Sequence, residues 1–287
     1  MSNVKIAIVA LTRGYKEESS YELLLKRNQY LSKNIDFTNN KYEFILFHEG
    51  NIGYDHQEYI NKHSIIQHKF IDVSSNFKIT NELKNSALIE ESRVYVNDSG
   101  YRLMCRFNMY YIWTYLKDYD YIFRVDEDVL ITEFDEKQFE IMINQNIDFC
   151  FPKLINETHE FTNKYLPAYL ENLFNIESQE IYNHKFPYTN VYIAKVKTWS
   201  KEEILQNLKK IGISNEQYKY RWGDLPVLGA FINYYKMDAR YFKNIKYMHA
   251  SHSTVISCND GLVNKLIDLY RIKLSQIKLS LKKYVSN

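Results

Sequence analysis

The sequence predicts an α/β protein with a mostly parallel central sheet in one domain. Three observations carry that prediction. The chain opens with a strand, a helix and a second strand in quick succession, the start of a βαβ unit. Apolar runs of strand length then alternate with helical stretches over much of the remaining chain. No internal repeat and no Pro-, Gly- or Ser-rich linker interrupts the 287 residues, a length that one large domain can fill.

The elements follow in order. Val4 to Leu11 is a nearly uninterrupted apolar run and reads as a buried strand. Ser19 to Ser32 reads as a helix, with Leu23, Leu24, Arg27 and Leu31 at helical spacing, and Tyr42 to His48 as the second strand. Residues 50–100 are polar with weak periodicity. Tyr101 to Leu116 reads as a helix on the recurrence of Leu103, Phe107, Tyr110, Tyr111 and Thr114. Tyr119 to Ile131 reads as a strand broken by the triplet Asp126-Glu127-Asp128. A helix over Phe134–Asn144 and a strand over Ile147–Phe151 are expected next, then short helices and loops over 154–185, then a strand over Thr189–Val196. Ser200 reads as the N-cap of a helix running to Ile211, with Glu203 completing a capping box. Pro226 suits the first turn of an apolar helix ending near Tyr235. Asn259 and Asp260 introduce a last helix to about Tyr284, so the expected organisation is a domain over 1–258 and a helix over 259–287.

Composition narrows the function. Lys+Arg number 37 and Asp+Glu 35, a net +2 that gives no support to general nucleic-acid binding. Hydrophobic residues make up 45%, enough for a real core. With 8 Gly and 4 Pro, collagen-like and low-complexity readings fall away, and no P-loop or Gly-rich nucleotide loop is present. Cys105, Cys150 and Cys258 form no paired spacing, which suits a reducing compartment better than a disulfide framework or a Cys-based zinc site. No run of about 18 apolar residues occurs, and the first residues lack the plan of a secretory signal. The expectation is a cytoplasmic protein, free or attached peripherally to a membrane surface. The 26 Tyr suit carbohydrate contacts, because each offers a flat apolar face and a hydroxyl; an AT-biased codon usage accounts for them as well.

Several residues invite a chemical reading. Three carboxylates inside an apolar-flanked strand are costly unless something neutralises them, and a divalent cation would. Residues i and i+2 of a strand share a face, so Asp126 and Asp128 can converge on one Mn²⁺ or Mg²⁺ with phosphates completing the shell. The alternative is a solvated acidic turn. Arg102 and Arg106 lie one helical turn apart and can reach a phosphate bidentately, or form salt bridges on a helix face. Trp222 offers an apolar face to a sugar ring, or is a core aromatic. Asp224 is a carboxylate for the reacting sugar, or the cap of the helix near Pro226.

Four stretches, taken together, add a resemblance. They are Tyr101-Arg102-Leu103-Met104-Cys105-Arg106-Phe107, the run from Asp118 to Val129, Tyr220-Arg221-Trp222-Gly223-Asp224-Leu225-Pro226-Val227, and Ile245-Lys246-Tyr247-Met248-His249. In order and spacing they resemble the fungal Golgi α-1,2-mannosyltransferase family. That family has a tyrosine before M-C-R-F, a D-Y-x-Y-x-W-R-V-E-P-D/E-V strand, an R-W-G-D-A-P-V run and a late G-Y-x-H. The resemblance covers roughly residues 4–250.

It implies a GT-A fold (nucleotide-diphospho-sugar transferase) with donor in the first half and acceptor in the second. It also implies retaining, Mn²⁺-assisted transfer of mannose from GDP-mannose to a hydroxyl of a glycan or lipid-linked glycan. Asp128 stands at the family's metal-binding acid, with Asp126 beside it, and His249 at its metal-ligand histidine. Tyr101 stands near the donor, where Arg102, Arg106, Arg124, Asp126 and Trp222 are the further donor-binding candidates. Asp224 stands next to the reacting sugar and is the leading catalytic candidate. The departures are specific. E-P-D/E becomes Asp126-Glu127-Asp128, and in Thr189-Asn190-Val191-Tyr192-Ile193 the family's candidate nucleophile, a glutamate, falls on Tyr192. Tyr192 then has another catalytic role, or a retaining reaction runs without an enzyme nucleophile. The family's N-terminal stalk and signal anchor are not seen ahead of Val4. Other readings are a different GDP- or UDP-sugar donor, phosphoryl transfer, or an inactive sugar-binding relative.

Residues 259–287 lie beyond the resemblance. Leu262, Leu266, Tyr270, Leu274, Ile277 and Leu281 form one apolar stripe at helical spacing. Over 262–283, Lys265, Arg271, Lys273, Lys278, Lys282 and Lys283 face only Asp268 in opposition. The helix is expected to dock on its own domain, or else to contact an anionic membrane surface or a second subunit.

Overall fold

The computed structural model describes residues 4–36, 41–88, 99–251 and 254–258. The expected helix over 259–287 lies outside the described residues. Twelve strands are described: β1 Ile6–Leu11, β2 Tyr42–His48, β3 Lys69–Asp72, β4 Tyr121–Val125, β5 Val129–Phe134, β6 Phe149–Phe151, β7 Leu154–Asn156, β8 Lys185–Pro187, β9 Val191–Lys195, β10 Ala239–Tyr241, β11 Ile245–Ser251 and β12 Thr254–Cys258. Seven form the main sheet in the order β10-β6-β9-β4-β1-β2-β3. The half from β4 to β3 is parallel, β9 runs antiparallel between β4 and β6, and β10 is parallel to β6. A sheet with helices on both faces buries both sides of its inner strands, which is why β1 is a continuous apolar run and β4 is buried throughout, apolar except for Arg124. A second sheet, β12-β11-β5, is antiparallel, and β7 pairs with β8.

One core face is aromatic around Trp113, stacked on Trp199 with centroids 5.0 Å apart, with Phe149 and Tyr192 alongside. The other gathers Phe123, Phe134, Phe139 and Phe242. The expected helix from Tyr101 is present as Ser99–Arg106, a wider π-helical stretch Phe107–Tyr111, and a last turn Ile112–Tyr115.

Two expectations are corrected, and the polar stretch over 50–100 is resolved into elements. Residues 50–100 hold a helix, Tyr54–His63, and strand β3; only Ile60 of that helix is buried, so its sequence carries no apolar face. The stretch 154–185 holds one helix of 15 residues, Glu160–Phe174, whose internal Pro167 disguises it. It stops at Asn175, which takes the left-handed conformation (φ +54°) common at helix ends. Ser200 is not an N-cap. Its N–H closes a preceding single turn by bonding the Val196 carbonyl at 2.8 Å, and the next helix starts at Glu202 with Lys201 before it.

Candidate active site

A cleft of about 600 Å³ opens beyond the carboxyl ends of β1, β2 and β4. In an α/β sheet this is the end at which ligands bind. Its walls include Thr12 and Arg13 after β1, Glu49 and Asn51 after β2, and the whole acidic triplet after β4. Tyr101, Asn108, Tyr188, Asn190, Asp224 and His249 complete it from elsewhere in the chain. Each of the four stretches that bear the resemblance thus contributes to one cavity.

The acidic triplet is not inside a strand. It forms the turn between β4 and β5, closed by a 3.1 Å bond from the Val129 N–H to the Asp126 carbonyl. The turn gives the three carboxylates three different hydrogen-bonding partners, while Asp126 and Asp128 stay close enough for their charges to act on each other. Asp126 turns back to Arg124, accepting from Nε at 2.7 Å and from Nη2 at 3.2 Å. Glu127 points to the loop after β1, where the Thr12 hydroxyl donates to it, Arg13 Nε at 3.2 Å and the Tyr15 hydroxyl at 3.3 Å. Asp128 meets His249 Nε2 at 3.3 Å. The sheet register explains that last contact, because His249 of β11 lies directly across from Val129 of β5.

Below the turn, Arg27 is buried and spends Nε and Nη2, at 3.2 and 2.8 Å, on the carbonyl of Val125. That fixes the end of β4 from which the turn departs. Arg124, also buried, donates from Nη1 to Asp224 at 2.6 Å, so one guanidinium joins the acidic turn to the R-W-G-D run. Burial opposes its charge, but Asp126 and Asp224 together hold its pKa well above the usual value. Asp224 is the first residue of the helix Asp224–Tyr234, where the helix dipole favours a carboxylate. Gly223, rather than Asp224, holds the N-cap position. Arg221 two residues earlier adopts a left-handed backbone (φ +59°), an uncommon state for a non-glycine, and its guanidinium lies 4.0 Å from the centroid of the Tyr101 ring. Cys105 of the M-C-R-F run lies beneath Asp224, and burial pushes its thiol up to about 12.

His249 is oriented from behind. The Tyr188 hydroxyl lies 3.1 Å from Nδ1, leaving Nε2 to face Asp128. Burial alone would lower the imidazole pKa, but the hydrogen bond and charge of Asp128 outweigh it and the net direction is up. Among the described residues no group of three or more His, Cys, Asp or Glu side chains is placed to hold a metal ion. Asp126 bonds Arg124 rather than joining the Asp128–His249 contact directly, though its charge acts on both residues. The carboxylate–imidazole pair nevertheless fits a divalent cation that takes its remaining ligands from phosphate and water. Five carboxylates line the cleft against Arg13 and Arg124, so an anionic nucleotide would enter more readily with a cation.

Four sequence candidates lie outside the cleft walls. Arg102 is buried and donates to the carbonyls of Tyr218, Lys219 and Leu88, clamping chain segments together. Arg106 donates from Nε to Gln217 at 3.0 Å. Trp222 is buried against Tyr169 and Tyr220, in the core rather than under a ligand. Tyr192 is fully buried, stacked on Phe149 at 4.8 Å, and lies opposite Arg124 across the β4–β9 pair. The Arg124 guanidinium carbon is 5.8 Å from its ring centroid. Tyr192 supports Arg124 from the core side, and a catalytic contact with substrate is not what this position provides. Sequence reasoning in turn missed Thr12, Arg13, Asn108, Tyr188 and Asn190 as cleft residues, and Glu127 as the tie to the loop after β1.

No family model matches the chain. It is 29% identical over 181 residues to glycolipid 2-alpha-mannosyltransferase 1 of Candida albicans, a match covering 56% of this chain and 42% of that one. It is 27% identical over 176 residues to the O-glycoside alpha-1,2-mannosyltransferase omh1 of Schizosaccharomyces pombe, covering 54% and 45%. The matches therefore span less than half the length of these relatives. Among solved structures, core-mannan synthase A of Aspergillus fumigatus in its Mn/GDP form superposes with a TM-score of 0.67 at 19% identity, covering 86% of this chain and 74% of that one. The mannosyltransferase Ktr4p of Saccharomyces cerevisiae in complex with GDP gives 0.68 at 16%, covering 86% and 71%. The fold is GT-A, and the resemblance of the sequence to the fungal α-1,2-mannosyltransferases is borne out by these relatives.

Proposed function

We propose that the chain is a GT-A glycosyltransferase that moves mannose from GDP-mannose to a hydroxyl of a glycan or lipid-linked glycan, with retention at the anomeric carbon. The observation that carries the proposal is the meeting of Asp128, His249, Arg124, Asp224 and Tyr101 in one cleft, brought from four separate stretches. The relatives act on mannose by name, and the solved neighbours hold GDP, one of them with Mn.

Asp128 and His249 would hold Mn²⁺ or Mg²⁺, which would supply positive charge to the leaving diphosphate. Tyr188 keeps the imidazole turned toward the ligand position. Asp224 provides a fixed negative charge where oxocarbenium character develops on the sugar, and Arg124 holds that carboxylate in place. With Tyr192 in the core, no enzyme nucleophile is assigned at that position. That replacement also favours a second reading, a relative that binds donor without turning it over.

A thermal-shift panel of GDP-, UDP- and CMP-sugars with and without Mn²⁺ tests the proposal, since a ligand at about 100 times its Kd stabilises the native state by about 2.7 kcal/mol. GDP-mannose should raise the melting temperature only with the metal, and Asp128→Ala or His249→Ala should remove that rise while leaving the unliganded protein folded. No response to any nucleotide sugar sinks the proposal. A response without turnover selects the second reading.

A further inference from the structure

Asn190 is the least satisfied polar side chain of the cleft. It is 5% exposed, and neither Nδ2 nor Oδ1 has a hydrogen-bond partner among the described residues. A buried amide left unpaired costs about 1–3 kcal/mol, and native structures keep such groups where something else completes them. Its backbone does have a partner, because the Asn190 carbonyl accepts from the Asp126 N–H at 3.1 Å. The backbone is therefore anchored at the acidic turn, and the side chain lines the cleft with an amide that has no partner within the described residues.

The sheet order says which part of a ligand comes there. Arg13, Glu49 and Asn51 follow β1 and β2, on one flank of β4. Asn190 precedes β9, on the opposite flank, and the acidic turn lies between. A nucleoside on the β1–β2 flank with its diphosphate near Asp128 and His249 leaves the sugar on the Asn190 flank. The chemistry agrees. A phosphate offers acceptors only and would leave Oδ1 unmet, whereas adjacent sugar hydroxyls both donate and accept, matching an amide.

We propose that Asn190 is a sugar-binding residue whose amide bridges two hydroxyls of the transferred hexose. The proposal rests on the glycosyltransferase reading above. Calorimetric titration of GDP and of GDP-mannose, each with Mn²⁺, tests it on the parent and on Asn190→Ala, together with a series of GDP-deoxymannoses on both. The variant should bind GDP within twofold of the parent and lose about tenfold of its affinity for GDP-mannose, the size of one or two neutral hydrogen bonds. In the parent, at least one deoxy analogue should lose a similar factor, and the variant should not distinguish that analogue from GDP-mannose. The deoxy series on the parent needs no variant to fold. Equal losses for GDP and GDP-mannose, or a parent indifferent to every hydroxyl, would overturn the assignment while leaving the donor reading in place. A parent that binds GDP-mannose no better than buffer removes both.

Discussion

Replacing Asp224 with Asn separates a structural from a chemical role for this carboxylate. The substitution keeps the shape and an oxygen acceptor for Arg124 Nη1, now 2.6 Å away, and removes only the charge. Arg124 keeps both of its bonds to Asp126, so its guanidinium is not left alone in the interior. The bond that remains is still one to a charged guanidinium, worth about 1.5–3 kcal/mol, and it offsets most of the loss of the ion pair, so stability should fall by about 1–2 kcal/mol. That is well short of the roughly 3–5 kcal/mol expected when a buried pair loses a partner outright, as in Asp224→Ala. For a chain of this size the Asn variant should melt about 2–3 °C lower and remain folded at assay temperature. If the carboxylate faces a developing positive charge, its loss should lower kcat and kcat/KM together by about 10²–10³, or about 3–4 kcal/mol. Melting curves and steady-state turnover of GDP-mannose on the same preparation give both numbers. A variant with kcat within threefold of the parent and the expected melting loss would show that Asp224 only holds Arg124. A rise in acceptor KM at unchanged kcat would make it a binding residue instead.

Gly229 lies in the helix Asp224–Tyr234 where a Cβ would meet Phe186 Cδ1 at 2.2 Å and Phe186 Cβ at 2.8 Å. Gly229→Ala should therefore destabilise by about 1–3 kcal/mol despite the better helix propensity of Ala, and an unchanged or higher melting temperature would contradict the close packing. His68 is buried, and burial together with Arg27 lowers its pKa from 6.5 to about 3. The unfolded chain then binds a proton below pH 6.5 that the folded one refuses until about pH 3, so this stabilising difference is lost as pH falls through that window. At pH 5 the cost is about 2 kcal/mol, and urea unfolding of the parent and His68→Gln at pH 7.5 and 5.0 should show it in the parent alone. Full-length protein should sediment with anionic vesicles at low salt and be released as salt rises, whereas a chain ending at Asn259 should stay in solution; equal behaviour would remove the membrane role read from residues 259–287.

How much could be read from the sequence depended on whether the signal was local. The strands β1, β2 and β4 carry long runs of apolar residues facing both sides, so they announce themselves. Asp128, His249, Asp224, Arg124 and Tyr101 were legible because each sits in a motif whose spacing survives. The motifs did not say which members face the cleft. A helix turns about 100° per residue, so Tyr101 looks into the cavity while Arg102, its neighbour, looks into the packing against Tyr218. Trp222 and Asp224 differ in the same way, because the left-handed Arg221 redirects the chain just before them. Tyr192 was misjudged as catalytic because its burial depends on Phe149 and Arg124, neither of which is near it in sequence. Arg27 did carry a signal, as a cation on the apolar face of a helix, but its target, the Val125 carbonyl, appears only once the sheet is assembled.

The π-helical stretch Phe107–Tyr111 bears on how the chain tolerates changes of length. A single wide turn of this kind is an α-helix holding one residue more than its ladder needs, and the surplus is confined to that turn. Removing one residue there closes the turn to α geometry and leaves both ends on their present faces, with Tyr101 toward the cleft and Trp113 stacked on Trp199. The residue whose aim would change is Asn108, which the wide turn now presents to the cavity wall. Removing one residue between Tyr101 and the wide turn is absorbed in the same way, by that turn closing, and only a second deletion would swing Tyr101 about 100° away from the cleft. Drift in length along this helix is thus channelled to one place, where it alters a single wall of the cavity and spares the anchor at either end.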